Sequence, residues 1–491
     1  MKQHSKVSLK CKNIIGFFIL LISVNVSFGQ SKIEQLDELI NQYTEYGQFN
    51  GSVLVAEKSE VLYKKGFGMA NMEWNIPNQS DTKHRLGSIT KQFTSMLIMQ
   101  LVEEGKLKLD VPISTYLPDY PKPNGEIITI HHLLTHTSGT PNYTSFPGFF
   151  RNSSRDPYIP EEFVGVFADS TLEFKPGERF AYSNSGYFLL GVIIEKITGK
   201  SYEQVLKDNI TIPLKMNNTG YDHHATILTN RASGYEKNGN NYINAAYLDM
   251  SIPYAAGSLY STVEDLYLWD QALYGNQLLS KENMDLIFTR HIPVGQDHYG
   301  YGWGLGMKPI GSTNDSIEVE RHGGGINGFN TLITRMPSDK SLIVLFNNTG
   351  GAALNEMTTA ILGILHDGSY EMPKKSLANS LFEVINKNGI AAGLAHFEKS
   401  KDSETYSLKE NEMNNVGYRF LQAGKVKEAV EVFKLNVVAF PESGNVYDSL
   451  GEAYLADGNK ELAIKNYKKS VEIDPKNEGG IKILEKLQSN N

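Results

Sequence analysis

The sequence predicts two parts: an α/β (α+β) domain whose antiparallel sheet is flanked by helices and carries a helical insertion, then an all-α repeat region. Three observations point there. Strand-length apolar runs stand at both ends of residues 30–370, GSVLVA and VLYKKGFG first, TLITRMP and SLIVLFNN last. Between them lie helix-spaced apolar patterns and Pro-rich loops. From residue 409 onward the same residue types return every 34 positions.

Residues 1–29 read as a secretory signal. Lys2, Lys6, Lys10 and Lys12 precede IIGFFILLISVNV, and the small residues Ser27 and Gly29 stand before Gln30. The apolar run from Ile14 to Val26 is shorter than the roughly 20 residues that span a bilayer, so cleavage near Gly29 and no lasting membrane anchor are expected. The destination is then periplasm or medium. Cys11 is the single cysteine and leaves with the signal, so the mature chain has no disulfide, thiolate metal site or cysteine nucleophile. The signal carries four lysines and no acid, and its loss takes the net charge from −8 to −12. That balance argues against nucleic acid as a partner.

Ile33, Leu36, Leu39, Ile40 and Tyr43 recur at helical spacing and open the 30–370 domain. The first two strands follow, joined at EKSE, and an apolar helix around ALNEMTTAILGIL closes the domain. A sheet assembled from both ends of the domain is implied. Residues 371–408 read as a helical linker or a degenerate repeat, on the stretch LFEVINKNGIAAGLAHFEKSK.

In residues 409–491, Gly417 pairs with Gly451, Phe420 with Tyr454, Gly424 with Gly458, Ala429 with Ala463, Phe433 with Tyr467 and Pro441 with Pro475. This resembles the tetratricopeptide repeat, with Gly479 to Leu487 as a capping helix. Such repeats offer a surface to a protein partner, although the Lys-rich face reads as solvated.

Chemistry without cysteine needs another nucleophile. In RLGSITKQF, Ser88 reads either as a helix N-cap or as a nucleophile with Lys91 as its base one turn on, since i and i+3 share a helix face. Burial and the positive helix end would both favour a neutral amine at Lys91. The pattern alone is weak, because SDTK at Ser80 to Lys83 repeats it. Ser80 leads into HRLG, with no apolar helical pattern behind it, and reads as loop.

Two further segments decide for Ser88. In FAYSNSGYFLLGVIIEKITG, Tyr182 and Asn184 precede an apolar helix, and in RHGGGINGFNTLITRMP, His322 and three glycines precede a strand. With SITK they resemble the SxxK, YxN and KTG or HxG motifs of the serine β-lactamase and penicillin-binding-protein superfamily, in the same order. HLLTHTSGTPNY, AAGSLYSTVEDLYLW and YGYGWGLGM extend the likeness, closest to the class C β-lactamase, D,D-peptidase and esterase branch. YIN at Tyr242 and HYG at His298 also fit the short patterns but lack the helix or strand behind them.

The resemblance implies that Ser88 forms an acyl-enzyme while Lys91 and Tyr182 move its proton. It implies that Asn184, His322 and Gly324 position the substrate, and that the backbone N–H groups of Ser88 and Gly325 hold the oxyanion. It implies no cofactor and no metal. His322 stands where β-lactamases commonly carry Lys, which favours an ester or D-amino-acid peptide or amide over a β-lactam. The alternative is a non-hydrolytic penicillin-recognising or sensor module with a partner-binding repeat domain.

Other conspicuous residues have plainer readings. His131, His132 and His136 are read as loop residues, not metal ligands, and His223 and His224 as solvent-facing. Trp74, Trp269 and Trp303 are expected to pack in the core, with Trp303 bordering the cleft at most.

Overall fold

The computed structural model describes residues 30–238 and 241–489, so the expected signal and Cys11 lie outside the described residues. Ser31 opens α1 (Lys32–Glu45) with a reciprocal cap, its hydroxyl accepting from Glu34 N while the Glu34 carboxylate accepts from Ser31 N. Leu36, Leu39, Ile40 and Tyr43 are buried and Ile33 is left half-exposed. Strands β1 (Gly51–Glu57) and β2 (Glu60–Phe67) follow. Lys58 and Ser59 between them both have positive φ, 53° and 65°, which matches the twist of a tight hairpin.

The other six strands of the main sheet all come from the far end of the domain. They are β3 (Ile292–Val294), β4 (Asp297–Tyr299), β5 (Gly304–Pro309), β6 (Ser316–Ile326), β7 (Phe329–Met336) and β8 (Ser341–Asn347). The sheet order is β3-β4-β5-β6-β7-β8-β1-β2, antiparallel throughout. Pairing of β1 with β8, from Gly51 opposite Asn347 to Ala56 opposite Leu342, joins the two ends of the domain.

Both faces of the central strands are covered, so they read as unbroken apolar runs. Val53, Val55, Ile343 and Leu345 pack toward α1 and the helix Leu354–Leu365. Leu54, Ala56, Leu342, Val344 and Phe346 pack toward the insertion. Each such side chain contributes about 1.5–3 kcal/mol on full burial.

The insertion supplies α2 (Thr90–Glu103) and α3 (Asn184–Thr198), both buried along most of their length. Trp269 stacks on Phe93 of α2 with ring centroids 4.3 Å apart, and Trp303 is buried beside Phe288. Trp74 corrects the expectation: it is 79% exposed, in the turn between the short paired strands Met69–Asn71 and Ile76–Pro77. Two- and three-residue strands at that edge leave no core for it to enter.

Beyond residue 376 the chain is almost wholly helical, in antiparallel pairs. Gly417 and Gly451 sit where helices cross, a Cβ on each falling 2.4 Å from Phe433 and 3.0 Å from Tyr467 respectively. Gly424 and Gly458 turn the chain between helices at φ 71° and 78°. The helices Leu377–Asn388 and Ile390–Ser400 stack on the first repeat and share its core, through Leu381, Ile385 and Phe397. The helix Glu478–Ser489 closes the other end.

Candidate active site

The turn that carries Ser88 is shaped by the strand it leans on. Leu86 O accepts from Thr331 Oγ1 at 2.7 Å, and a Cβ on Gly324 of β6 would fall 1.8 Å from that same carbonyl oxygen. Gly87 has φ +56°, and a Cβ there would fall 2.9 Å from Gly325 N. Backbone meets backbone at both points, and only glycine allows it. From this start the chain makes a single 3₁₀ turn, Gly87–Ile89, and runs into α2. Ser88 is therefore not the N-cap of α2; that position is Ile89, with no side-chain cap. The Ser88 hydroxyl is left to Lys91.

Lys91 is fully buried, and its Nζ has three oxygen neighbours: Ser88 Oγ at 3.1 Å, Asn184 Oδ1 at 2.8 Å and Ala256 O at 2.8 Å. None is a carboxylate, and burial pushes the amine well below its ordinary range. A neutral amine has two N–H bonds and one lone pair. Asn184 Oδ1 and Ala256 O take the two N–H bonds, leaving the lone pair to the Ser88 proton. Asn184 is held in that orientation by Asn142, whose Oδ1 accepts from both its backbone N and its Nδ2, at 3.2 and 3.3 Å.

Asn184 is placed by the start of α3. Ser183 caps this helix, its hydroxyl accepting from Gly186 N. Ser185 Oγ donates to Pro141 O at 2.6 Å and accepts from Tyr143 N at 3.1 Å, which ties the PNY loop to the same turn. Tyr182 lies just ahead. Its buried hydroxyl has no hydrogen-bond partner of normal geometry, and the Lys91 amine lies 4.8 Å from its ring centroid. Burial pushes the phenol up, opposed by the neighbouring Ser88 hydroxyl, so it holds its proton at neutral pH.

His322 stands at the other end of the triglycine segment. Its Nε2 bonds to the Tyr299 hydroxyl at 3.0 Å and its Nδ1 to Gly323 O at 2.6 Å. Burial is the main cause that lowers its pKa to about 4, any charge on Lys91 acting the same way and the Gly323 carbonyl opposing. His322 is thus neutral at pH 7. Gly324 is packed behind the Ser88 turn, whereas Gly325 has open space on its Cα and borders the cavity.

Three residues of this centre escaped the sequence reading. His136, read only as a loop histidine, lies 4.2 Å from the Tyr182 ring and accepts from Ser183 N at 3.1 Å. It holds φ +57°, a conformation uncommon outside glycine, so its placement is imposed by its surroundings. Tyr299 comes from the HYG decoy, and His298, one place before it on the same strand, faces the other side of the sheet. Asn142 comes from HTSGTPNY. The signal was present in the quoted segments, but no spacing rule connects them. Tyr242 of the YIN decoy lies on the hairpin 235–244 against Gly47, away from Ser88.

A cavity of about 370 Å³ opens over Ser88, walled by Asn184, Gly325 and Asn330 and by the apolar Tyr143, Phe149, Phe150 and Ile252. His131 and His132, read as loop residues, lie instead on the short helix Ile130–Leu134, which Thr129 caps; His131 bonds to the Tyr301 hydroxyl at 2.9 Å and His132 closes the cap. His223 and His224 are exposed, as expected.

A family model described as Beta-lactamase matches residues 36–365. The chain belongs to the β-lactamase family. Residues 444–477 match a second model, described as Tetratricopeptide repeat. Penicillin-binding protein 4* of Bacillus subtilis is 32% identical over 372 residues, covering 70% of this chain and 79% of that protein. A penicillin binding protein from Bacillus halodurans superposes with a TM-score of 0.59 at 29% identity, over 66% of this chain and 98% of that one. A D-amino acid amidase from Ochrobactrum anthropi superposes with a TM-score of 0.58 at 26% identity, over 67% and 99%. The domain thus carries a hydrolase fold shared with penicillin-binding proteins and a D-amino-acid amidase. No helix among the described residues is long and apolar enough to cross a membrane.

Proposed function

We propose that the protein is an exported serine hydrolase, periplasmic or secreted, that turns over an ester or a D-amino-acid peptide or amide through an acyl-enzyme on Ser88. The observation that carries this is the buried Lys91 amine, 3.1 Å from Ser88 Oγ with its other two contacts already acceptors. The Ser88 proton passes to the Lys91 lone pair as Oγ attacks the carbonyl carbon. The negative charge that develops on the carbonyl oxygen is held by Ser88 N–H and Gly325 N–H. Tyr182 hands a proton to the leaving group and is reprotonated from Lys91. Water then attacks the acyl-enzyme by the same route in reverse. His322 acts on this path from its buried place beside Tyr182, its ring centroid 6.3 Å from the tyrosine's.

Neutral His322 offers no fixed cation to a substrate carboxylate, which weighs against β-lactam hydrolysis. The amidase among the solved relatives supports the D-amino-acid side of the reading. The repeats present a stacked helical surface to a protein partner, and no cofactor enters the scheme.

The test is hydrolysis of a short-chain p-nitrophenyl ester, a D-alanyl dipeptide and nitrocefin by wild type and Ser88→Ala. Turnover of the first or second that vanishes in the variant, with an unchanged circular dichroism spectrum, is the expected result. No turnover, together with no label on Ser88 from a fluorophosphonate or a fluorescent penicillin, would leave a binding module in its place.

A further inference from the structure

We infer that the cleft selects a substrate whose acyl part carries a positive charge, an ammonium or guanidinium group, held by Glu236. This deepens the hydrolase reading above and rests on it. Glu236 is the only charged side chain among the described residues that line the cavity over Ser88. The rest are apolar residues, glycines, hydroxyls and the amides of Asn184, Asn327 and Asn330. Within the described residues no cation of the protein pairs with its carboxylate, and no hydrogen bond neutralises it. A carboxylate left unpaired at the wall of an otherwise uncharged cleft favours a cationic ligand.

Its place is fixed by the residue before it. Tyr235 is buried, its N donating to Asn348 O and its O accepting from Gly350 N, both at 2.9 Å. The Tyr235 hydroxyl bonds to Glu73 and accepts from Met72 N at 2.8 Å. Across the hairpin, Glu236 stands opposite Ile243, and its Cγ lies 3.8 Å from where a Cβ on Gly350 would be. The side chain is thus presented beside Gly350, at the wall of the cleft.

Among the described residues no Lys or Arg shares the cavity wall with it. Lys91 is buried under Ser88 with its contacts filled, and His322 is uncharged at neutral pH. Arg85 lies behind the Phe329 ring, 6.0 Å from its centroid, and is engaged by Asp222 at 2.6 Å.

The strand direction says which part of the substrate meets Glu236. β6 runs from His322, beside Tyr182, to Ile326, and the cavity takes in the Gly325–Asn330 end. The leaving group needs its proton at Tyr182. The acyl part therefore lies along Gly325 to Asn330, on the side of Glu236. An unblocked aminoacyl group has the required charge; a succinylated or free-acid acyl group has the wrong one.

The experiment compares kcat/KM for substrates matched in shape and different in charge: D-alanyl against isobutyryl p-nitroanilide, and 6-aminohexanoyl against heptanoyl p-nitroanilide. The full chain is assayed as wild type, Glu236→Gln and Glu236→Lys. The expected result is a cationic-to-neutral ratio that falls about tenfold in Glu236→Gln for at least one pair, and further in Glu236→Lys, as removal of one partly desolvated charge pair would give. Added salt should weaken the wild-type preference and leave that of Glu236→Gln unmoved. Ratios that stay within about twofold across the three proteins overturn the inference while leaving the hydrolase intact. Wild type inert toward all four substrates and toward a neutral p-nitrophenyl ester, with Ser88 unlabelled by fluorophosphonate, overturns the hydrolase reading and this inference with it.

Discussion

Residues 80–83 and 88–91 spell the same pattern, serine with lysine three places on, and both lysines are buried, at 8% and 0% exposure. Their surroundings differ. Ser80 lies in a turn, Thr82 Oγ1 accepts from Gln79 N at 2.8 Å, and Lys83 Nζ reaches away to Thr229 O at 3.1 Å. Asp265 lies within the electrostatic reach of Lys83. Between Ser88 and Lys91 the chain is helical, the two side chains meet, and the amine has carbonyl oxygens but no carboxylate around it. Spacing joins two side chains only when a helical turn lies between them. Burial makes a lysine a base only where no acid is at hand to keep it charged.

The largest expected effect separates the two serines. Ser88→Ala should lower turnover and fluorophosphonate labelling by about 10⁴-fold or more, as loss of a nucleophile does, while Ser80→Ala should stay within about twofold. Equal losses in the two variants would erase the distinction.

Next come the lysines. Lys91→Met should cost about 10³-fold in kcat, in the range of a lost general base with the oxyanion donors retained. Lys83→Met should instead lower stability by about 0.5–1 kcal/mol, through the lost hydrogen bond to the exposed Thr229, and leave the activity per folded molecule in place. Urea melts beside active-site titration distinguish these outcomes. Activity lost in proportion in both would show that Lys83 also serves the centre.

A smaller effect comes from the strand that shapes the Ser88 turn. In Gly324→Ala the new Cβ would sit 1.8 Å from Leu86 O, so the turn must shift. Turnover should fall by about 10²-fold, the scale of an ångström-sized misplacement, with the Lys83 region unmoved. Wild-type kinetics in this variant would show that β6 does not set the position of Ser88.

The smallest is a pH effect on stability. His84, next to Lys83, and His322, at the second site, are both lowered to about 4, chiefly by burial. The unfolded state therefore takes up protons first as the pH falls. The contribution is complete above pH 6.5 and is lost between 6.5 and 4, by up to roughly 3 kcal/mol for each histidine. His84→Gln and His322→Gln should each flatten that slope, and only the second should alter turnover. A slope unchanged in both would place the acid sensitivity elsewhere.

The sequence made the frame legible where chemistry is local. Apolar runs such as SLIVLFNN, the helix start of α1 and the paired glycines of the repeats each follow from sterics and periodicity within a few residues. Ser88 and its neighbours were legible as a set of motifs, with roles that only the resemblance implied. What was hidden depends on contacts across the chain. Ser88 is not a cap because β6 forces the 3₁₀ turn, and His136 and Asn142, from one loop, meet Tyr299, from β4, across more than 150 residues of chain. Trp74 reads as core by residue type, but the short strands that hold it have nothing to bury it against.

The junction of β1 with β8 also bears on how the chain acquires its structure over time. Gly51 can find Asn347 only after nearly the whole domain has been made, and until then β1, β2 and the apolar segments behind them have no lasting partner. Closing so long a loop is entropically costly and slow, so the domain should refold slowly, through partly ordered species that expose those runs. The repeats follow a different course, since each helix pair meets its partner within a few tens of residues. A chain cut before residue 341 should accumulate as aggregate, whereas residues 377–489 have the local contacts to reach order first.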